Sequence, residues 1–453
     1  MQVDHQTACM GLEYKTLDTF SFRPEPGEIA REPGLQRQKA AVGGSFQAVH
    51  KLDWLASLNR PQTFSKILAG MSQLERLDLT GCKEQELYLM PLMRLLQTLS
   101  SLSLSGIGYL NGHDWDWIGH LTQLTHLNVS ETYYLNDRNI IRLETLTQLR
   151  ELDLSFNVHI KGKPLSQFQA LTSISLQRCE SICAEGLQSL ADVPDLASLC
   201  LHTAFQHSEK SRQALLKMQK LQHLDLSKAI GFTVAQMRDL AGLPLLTSLI
   251  LQDVRGNDAV GPRALLAAVQ NGQRLRLLDV SGHDGLDTHV LDALSTLTNL
   301  QELHLRSSGP AEGPGDSISR LTKLTLLAAK HCPWARDSTV DSWSTLQCLQ
   351  TLLLSYNLGI GDASLCSIGR FTTLEHLELC SCANLTGKGF RHLTSLQRLQ
   401  HLRLRALPAT KGMLGHVAKL RALKLLDLTS CKSLDSRCLI PLADLVPCIS
   451  PRM

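Results

Sequence analysis

Cys380 and Cys382 stand one residue apart in the stretch LELCSCANLTGKGFRHL, residues 377–393. Two thiols so placed can ligate a soft metal as thiolates or cycle between dithiol and disulfide. A structural zinc site needs four ligands, and no Cys-x-x-Cys partner lies nearby to complete one. Histidines offer imidazole for acid–base work or metal binding, among them His126, His223, His376 and His401. These four share one offset in a recurring pattern but lie in different copies of it, which places them apart and not in one pocket. The glycine-rich AEGPGDS, residues 311–317, lacks the strand-to-helix setting of a phosphate loop. No Ser-His-Asp set, carboxylate pair or metal-ligand cluster stands out. The sequence therefore predicts no catalytic residue, no metal and no cofactor, and a chain that is not an enzyme.

What positions these side chains is a repeat, and its period is read before anything else. The pattern L-x-x-L-x-L recurs as LERLDL (74–79), LTHLNV (124–129), LRELDL (149–154), LQHLDL (221–226) and LEHLEL (374–379). Sixteen copies begin at 49, 74, 99, 124, 149, 171, 196, 221, 246, 275, 300, 324, 349, 374, 399 and 423. Eleven of the fifteen intervals are 25 residues, and the others are 22, 29 and 24 twice, a regularity that chance does not produce.

Apolar residues return later in each copy, as Leu385, Phe390, Leu393 and Leu396 in one and Leu135, Ile140, Leu143 and Leu146 in another. The period is 2 at first and then 3 to 4, which predicts a short strand followed by a helix. Asn136, Asp287, Thr386 and Asp435 stand where a helix N-cap is needed. One strand and one helix cannot bury an apolar face alone, so neighbouring copies must stack. This pattern resembles the leucine-rich repeat over residues 49–445, and most closely its cysteine-containing type. LEHLELCSCANLTGKGF and LKLLDLTSCKSLDSRCL carry that motif, with a looser match in LTSISLQRCESICAEGL. Cys82, Cys179, Cys332, Cys382 and Cys431 occupy the ninth position, Asn157 and Asn357 occupy it elsewhere, and nine copies have neither. The resemblance implies an α/β right-handed solenoid, a horseshoe of about sixteen strand–helix repeats with one continuous parallel sheet on its concave face.

Strand side chains alternate faces, so Glu378 and Cys380 are expected on the concave, solvent side. Cys382 follows the strand, and the resemblance implies a buried thiol that bonds to loop backbone. Likewise Cys332 of HCPW takes the ninth position, leaving His331 and Pro333 in the loop. Sixteen strands about 4.8 Å apart would form a ladder on the order of 75 Å long. Such a surface suits a protein partner, while a small molecule would find little enclosure on it.

The third, fifth and seventh residues of each copy line the concave side. The fifth is often acidic (Asp53, Asp78, Asp153, Asp225, Asp279, Glu378, Asp427) and the seventh often a small hydroxyl residue such as Thr80, Ser155 or Ser355. Residues 300–405 depart from this. There Glu302, His304 and Arg306 are followed by Leu326, Ala328 and Lys330, then Leu353, then His376 with Glu378, and finally His401, Arg403 and Arg405. An apolar centre at Leu326 and Leu353 with charge around it has the composition of an interface, and the two arginines can take carboxylate or phosphate. These residues are the predicted partner-binding site. DVRGNDAVGPRALLAAVQNGQRL (253–275) and SSGPAEGPGDS (307–317) are irregular loops on the rim.

A net charge of +3 gives no global pull toward nucleic acid or a membrane surface, and no run approaches the roughly 18 apolar residues of a membrane span. The start, MQVDHQTACMGLEYKTLDTF, lacks a secretory signal, and 13 scattered cysteines fit reduced thiols in the cytoplasm or nucleus. Residues 1–45 have no sustained apolar period and read as a disordered tail, with the solenoid spanning 46–453. VPCIS, 446–450, has the spacing of a seventeenth strand. The cysteine-containing repeats resemble those of F-box substrate receptors of ubiquitin ligases, although the roughly 40 helical residues of an F-box are not visible ahead of the repeats. The repeats also resemble protozoan and bacterial relatives, including adenylate-cyclase-regulator-like proteins of trypanosomes. A non-enzymatic interaction module follows: substrate recognition for a ubiquitin ligase, or a scaffold or regulator of a signalling enzyme such as a cyclase or kinase.

Overall fold

Each L-x-x-L-x-L copy forms a three-residue strand centred on its second leucine. The computed structural model describes residues 74–81, 98–204, 208–230, 234–254, 269–283, 288–308, 315–407 and 411–431, with Ala267 and Leu286. The first five strands are β1 (Arg76–Asp78), β2 (Ser101–Ser103), β3 (His126–Asn128), β4 (Glu151–Asp153) and β5 (Ser173–Ser175). The next are β6 (Ser198–Cys200), β7 (His223–Asp225), β8 (Ser248–Ile250), β9 (Leu277–Asp279) and β10 (Glu302–His304). The last are β11 (Leu326–Ala328), β12 (Thr351–Leu353), β13 (His376–Glu378), β14 (His401–Arg403) and β15 (Leu425–Asp427). All fifteen pair in chain order as one open, parallel sheet. The copy at 49–54, the tail at 1–45, the strand expected at VPCIS and the caps at Asp287 and Asp435 lie outside the described residues.

Register explains why repeat lengths can vary. The central leucine or isoleucine of each strand faces its equivalent, as Leu77 faces Leu102 and Leu377 faces Leu402. The match survives the 22-residue interval (Leu152 with Ile174), the 24-residue one (Leu303 with Leu327) and the 29-residue one (Leu249 with Leu278). Length changes are therefore absorbed outside the strands. These central residues are buried together with the leucines before and after them, and each contributes about 1.5–3 kcal/mol by leaving water.

The turn that follows each strand has a feature that the residue types do not announce. The eighth residue of all fifteen described repeats has positive φ, yet only Gly81, Gly106 and Gly282 among them are glycine. Elsewhere Glu131, Phe156, Arg178, Tyr356, Ser381 and Ala406 are among those that adopt it. Its N–H donates to the carbonyl of the seventh residue one repeat on, as from Tyr356 to Cys380 (2.8 Å) and from Ser381 to Arg405 (2.9 Å). This interrepeat bond holds a conformation that L-residues otherwise avoid.

The convex side carries short helices in some repeats and tighter 3₁₀ turns in others. Helices include Gly112–Gly119, Asp137–Ile141, Ala184–Ala191, Glu209–Lys217 and Asp362–Ile368. Lys163–Gln167, Gly315–Arg320 and Gly389–Ser395 are 3₁₀. Asn136 caps its helix as expected, its side chain accepting from the Arg138 N–H at 3.0 Å while Asn139 bonds back to the Asn136 N–H. Thr386 precedes a 3₁₀ turn at Gly389 and not an α-helix; its N–H and hydroxyl donate to the Asp362 carboxylate, and its Oγ1 accepts from the Lys388 N–H at 3.3 Å.

Candidate partner-binding surface

The ninth position shows what the cysteines do. Cys382 Sγ donates to the Leu354 carbonyl of the preceding repeat at 3.4 Å, Cys332 to Leu305 at 2.9 Å, Cys179 to Leu154 at 3.0 Å and Cys431 to Leu404 at 3.0 Å. Asn157 and Asn357 do the same with Nδ2. Of three further ninth-position residues that the motif did not single out, His283 bonds to Leu251 and Ser308 to Val280 of the preceding repeat, while Thr132 bonds to Val129 of its own repeat. Burial pushes the Cys179 thiol up to about 12 and those of Cys332 and Cys382 to about 11. Thiols so shifted stay protonated and unreactive at neutral pH. Cys380 sits on the concave side as expected but is buried, not solvent-facing. Ser155, Ser227 and Ser355 at the seventh position of other repeats are equally hidden, whereas Arg306 and Arg405 at that position are exposed. Among the described residues, no three His, Cys, Asp or Glu side chains converge on a metal site.

Concave residues of many repeats bond within their own copy. Asp153 accepts from the N–H and hydroxyl of Ser155 at 2.9 and 2.5 Å, and Asp78–Thr80, Asn128–Ser130, Asp225–Ser227 and Asp427–Thr429 repeat the arrangement. The acidic and hydroxyl consensus is thus an Asx-type turn closing each strand end. β2, β5, β6 and β8 lack it singly or in pairs, whereas β10 to β14 lack it five times in succession.

Within that run, side chains reach across repeats. Lys330 Nζ lies 2.8 Å from Glu378 Oε1, and Ser355 Oγ donates to the same oxygen at 2.8 Å. Arg403 Nη1 stands 3.6 Å from Glu378 Oε2. Burial disfavours the Glu378 charge, but Lys330, Ser355 and Arg403 outweigh it and hold the carboxyl below its ordinary value. Arg405 Nε donates to Asp427 Oδ2 at 2.5 Å. The two arginines already hold carboxylates of their own chain, and both remain more than half exposed. Leu326 and Leu353 are half-buried on neighbouring strands, β11 and β12. Glu302 and His304, 4.0 Å apart on β10, and the exposed Arg306 after it lie three strands from Glu378, roughly 14 Å along the sheet.

His376 and His401 correct the expectation that the concave histidines stand apart. Their rings stack with centroids 4.3 Å apart and an 11° tilt. Equal offsets in adjacent, in-register strands are direct neighbours. Burial lowers the pKa of both, aided at His376 by His401 and Arg403 and at His401 by Lys424 and Arg403. His401 Nδ1 is closed off without a hydrogen-bond partner among the described residues.

The rim after the strands carries a second feature absent from the sequence reading. Tyr109, Tyr133, Tyr134, Phe156 and Val158 are exposed. Tyr134 meets Tyr109 edge-on at 6.2 Å and stacks on His159 at 6.4 Å, and Arg178 lies over Phe156 at 5.7 Å. The available signal was apolar residues falling off the core period at the eighth, tenth and eleventh positions of three successive copies.

Among solved structures the chain resembles, at 19% identity and a TM-score of 0.51, the toll-like receptor TLR13 in its complex with ssRNA13, over 80% of this chain and 58% of that one. The chain has the leucine-rich-repeat fold. A leucine-rich-repeat protein of Leptospira interrogans matches at 21% identity over 84% of this chain and 91% of its own, with a TM-score of 0.46. An internalin of Listeria monocytogenes matches at 21% over 74% and 88%, with a TM-score of 0.49. No protein-family model matches the sequence, and no curated protein does. The leucine-rich-repeat sheet leaves its concave side open, and no helix among the described residues is long and apolar enough to cross a membrane.

Proposed function

We propose that this chain is a non-enzymatic interaction module that takes a protein partner on the concave surface of β10 to β14. One observation carries the reading: five consecutive strands abandon the local Asx-type turn and present large side chains instead. Half-buried Leu326 and Leu353 supply an apolar centre, while Glu302, His304, Arg306, Lys330, Glu378, Arg403 and Arg405 surround it with charge. An apolar core inside a polar rim is the usual anatomy of a protein interface. The Lys330–Glu378–Arg403 group fixes three long side chains before any partner arrives, which lowers the entropy lost on binding.

Within this reading, recognition of substrates for a ubiquitin ligase is the finer role, supported by the resemblance of the cysteine-containing repeats. A scaffold or regulator of a signalling enzyme is the alternative. Affinity purification with wild-type chain and with Leu326→Asp/Leu353→Asp tests the surface. Loss of a recovered partner in the variant, with its circular dichroism unchanged, supports the reading, and equal recovery overturns it. Co-recovery of cullin-like and adaptor proteins favours the ligase role; co-recovery of a cyclase or kinase favours the scaffold.

A further inference from the structure

The charge of this chain is unevenly placed. Residues 370–424 hold ten lysines and arginines against two carboxylates, Glu375 and Glu378, although the whole chain carries only +3. Glu378 is already committed to Lys330 and Arg403, and Gln400 Nε2 donates to Glu375 at 3.4 Å. Arg398, Lys419, Arg421 and Lys424 are exposed, and none has an ion-pair partner among the described residues. These four charges are therefore solvent-facing, whereas Arg370 and Arg405 pair with Asp341 and Asp427.

Register gathers part of it around the histidine stack. His376 and His401 pair across β13 and β14, Arg403 lies two residues beyond His401, and Lys424 immediately precedes β15. Arg403 acts electrostatically on both rings, and Lys424 acts on His401. The groups facing the stack are Glu375 and Glu378 from the β13 repeat, Arg403 from β14, and Lys424 and Asp427 from the β15 repeat; β12 contributes only Thr351 and Leu353. Asp427 is held by Arg405 and Thr429.

We propose that His376, His401, Arg403 and Lys424, continued by Arg398 and Arg421, receive an acidic polypeptide segment of the protein partner. This rests on the concave-surface reading above and names the chemistry of what binds there. Polypeptide carboxylates are favoured over nucleic acid because the described residues of this region expose no aromatic platform for unstacked bases. Phe371 and Phe390 are buried, and the two imidazoles are closed on each other. Carboxylate is also what Arg403 and Arg405 already hold. An anion bound over the stack stabilises the imidazolium forms, so binding tightens as pH falls and the rings protonate.

Fluorescence anisotropy with a short labelled oligoglutamate peptide and the full chain at low salt provides the test. Saturable binding is expected, tightening several-fold from about pH 7.5 to about pH 6. Arg403→Glu/Lys424→Glu should weaken it on the order of tenfold, while Lys161→Glu/Lys163→Glu, of equal net charge, should bind as wild type. His376→Gln/His401→Gln should weaken binding at about pH 6 and flatten the pH slope. Absence of binding, equal weakening in both charge-reversed chains, or tighter binding of an oligouridylate of matched charge overturns the proposal. If oligoglutamate fails while partner recovery still depends on Leu326 and Leu353, the acidic-segment inference falls alone. Partner recovery indifferent to those leucines removes the concave-surface reading, and with it this inference.

Discussion

The ammonium of Lys330 passes over strand β12 to hold the carboxylate of Glu378, 48 residues away, at 2.8 Å. The Glu378 side chain is only 11% exposed, so its charge depends on this partner. Lys330→Met should destabilise the chain by about 1–3 kcal/mol in urea unfolding, because a buried carboxylate then loses its strongest donor. Its pH dependence has a definite sign. A carboxyl held below its ordinary value contributes stability that is present above about pH 4.5 and lost as pH falls through the folded-state value. In Lys330→Met that loss should begin at higher pH, and in Glu378→Gln this part of the acid sensitivity should vanish. An acid-unfolding midpoint that is the same in all three chains would contradict this account.

Asp137 links repeats on the convex side through backbone donors. Its Oδ1 accepts from the N–H groups of Lys161 and Gly162 at 2.9 and 3.0 Å, and its Oδ2 from Lys163 at 3.2 Å. Asp337 and Asp362 stand at the same offset and accept from Gly361 and Thr386 of the following repeats. Asp137→Ala leaves three donors to water at the start of a 3₁₀ turn. A loss of about 1–2 kcal/mol is expected, and Asp137→Asn should recover part of it, since one oxygen remains to accept. Hydrogen exchange at the Gly162 amide should accelerate in the alanine variant.

Much of this architecture was legible because a buried period is hard to disguise. Fifteen strands fall where L-x-x-L-x-L predicts them, since each central residue must meet its equivalent next door. The ninth position was legible only for Cys and Asn. His283 and Ser308 perform the same bond to the preceding repeat, and no single residue type marks the role. The candidate surface was legible as a set of offsets and not as contacts. Reading copies one at a time hides that His376 and His401 become neighbours and that Lys330 skips a whole repeat to reach Glu378.

Alkylation should separate the cysteines by position. Cys348 is exposed, whereas Cys179, Cys332 and Cys382 are buried, each donating to a carbonyl of the preceding repeat. Their thiols, pushed to about 12, 11 and 11, present almost no thiolate at neutral pH. Under iodoacetamide the native chain should label at Cys348 and spare these three until denaturant is added, as read by peptide mass spectrometry. Cys382→Ser should fold, because a hydroxyl can donate to Leu354 as the thiol does. Cys382→Leu should destabilise, since Cys382 is fully buried and leucine is both larger and unable to donate to Leu354. Early labelling of Cys382 would mean that the turn opens readily in the native chain.

The eighth position offers a test of backbone strain with little else changing. Ala406 has φ of 52°, is exposed, and donates its N–H to Thr429 at 3.0 Å. Glycine there relieves the clash of Cβ with the backbone at the expense of a more flexible unfolded chain. The folded-state gain should win, so Ala406→Gly is expected to stabilise by about 0.5–1 kcal/mol. Gly106 is the reverse case: φ is 69° and an added Cβ would meet nothing closer than 3.8 Å. Gly106→Ala should therefore lose a similar amount through conformation alone. Gly282 cannot serve, because its Cβ would collide with the Asp253 carboxylate and mix sterics with strain. Opposite shifts in the two urea midpoints would establish that these turns store strain, held by the bond to the next repeat. Two unchanged midpoints would mean that the interrepeat hydrogen bond removes the penalty altogether.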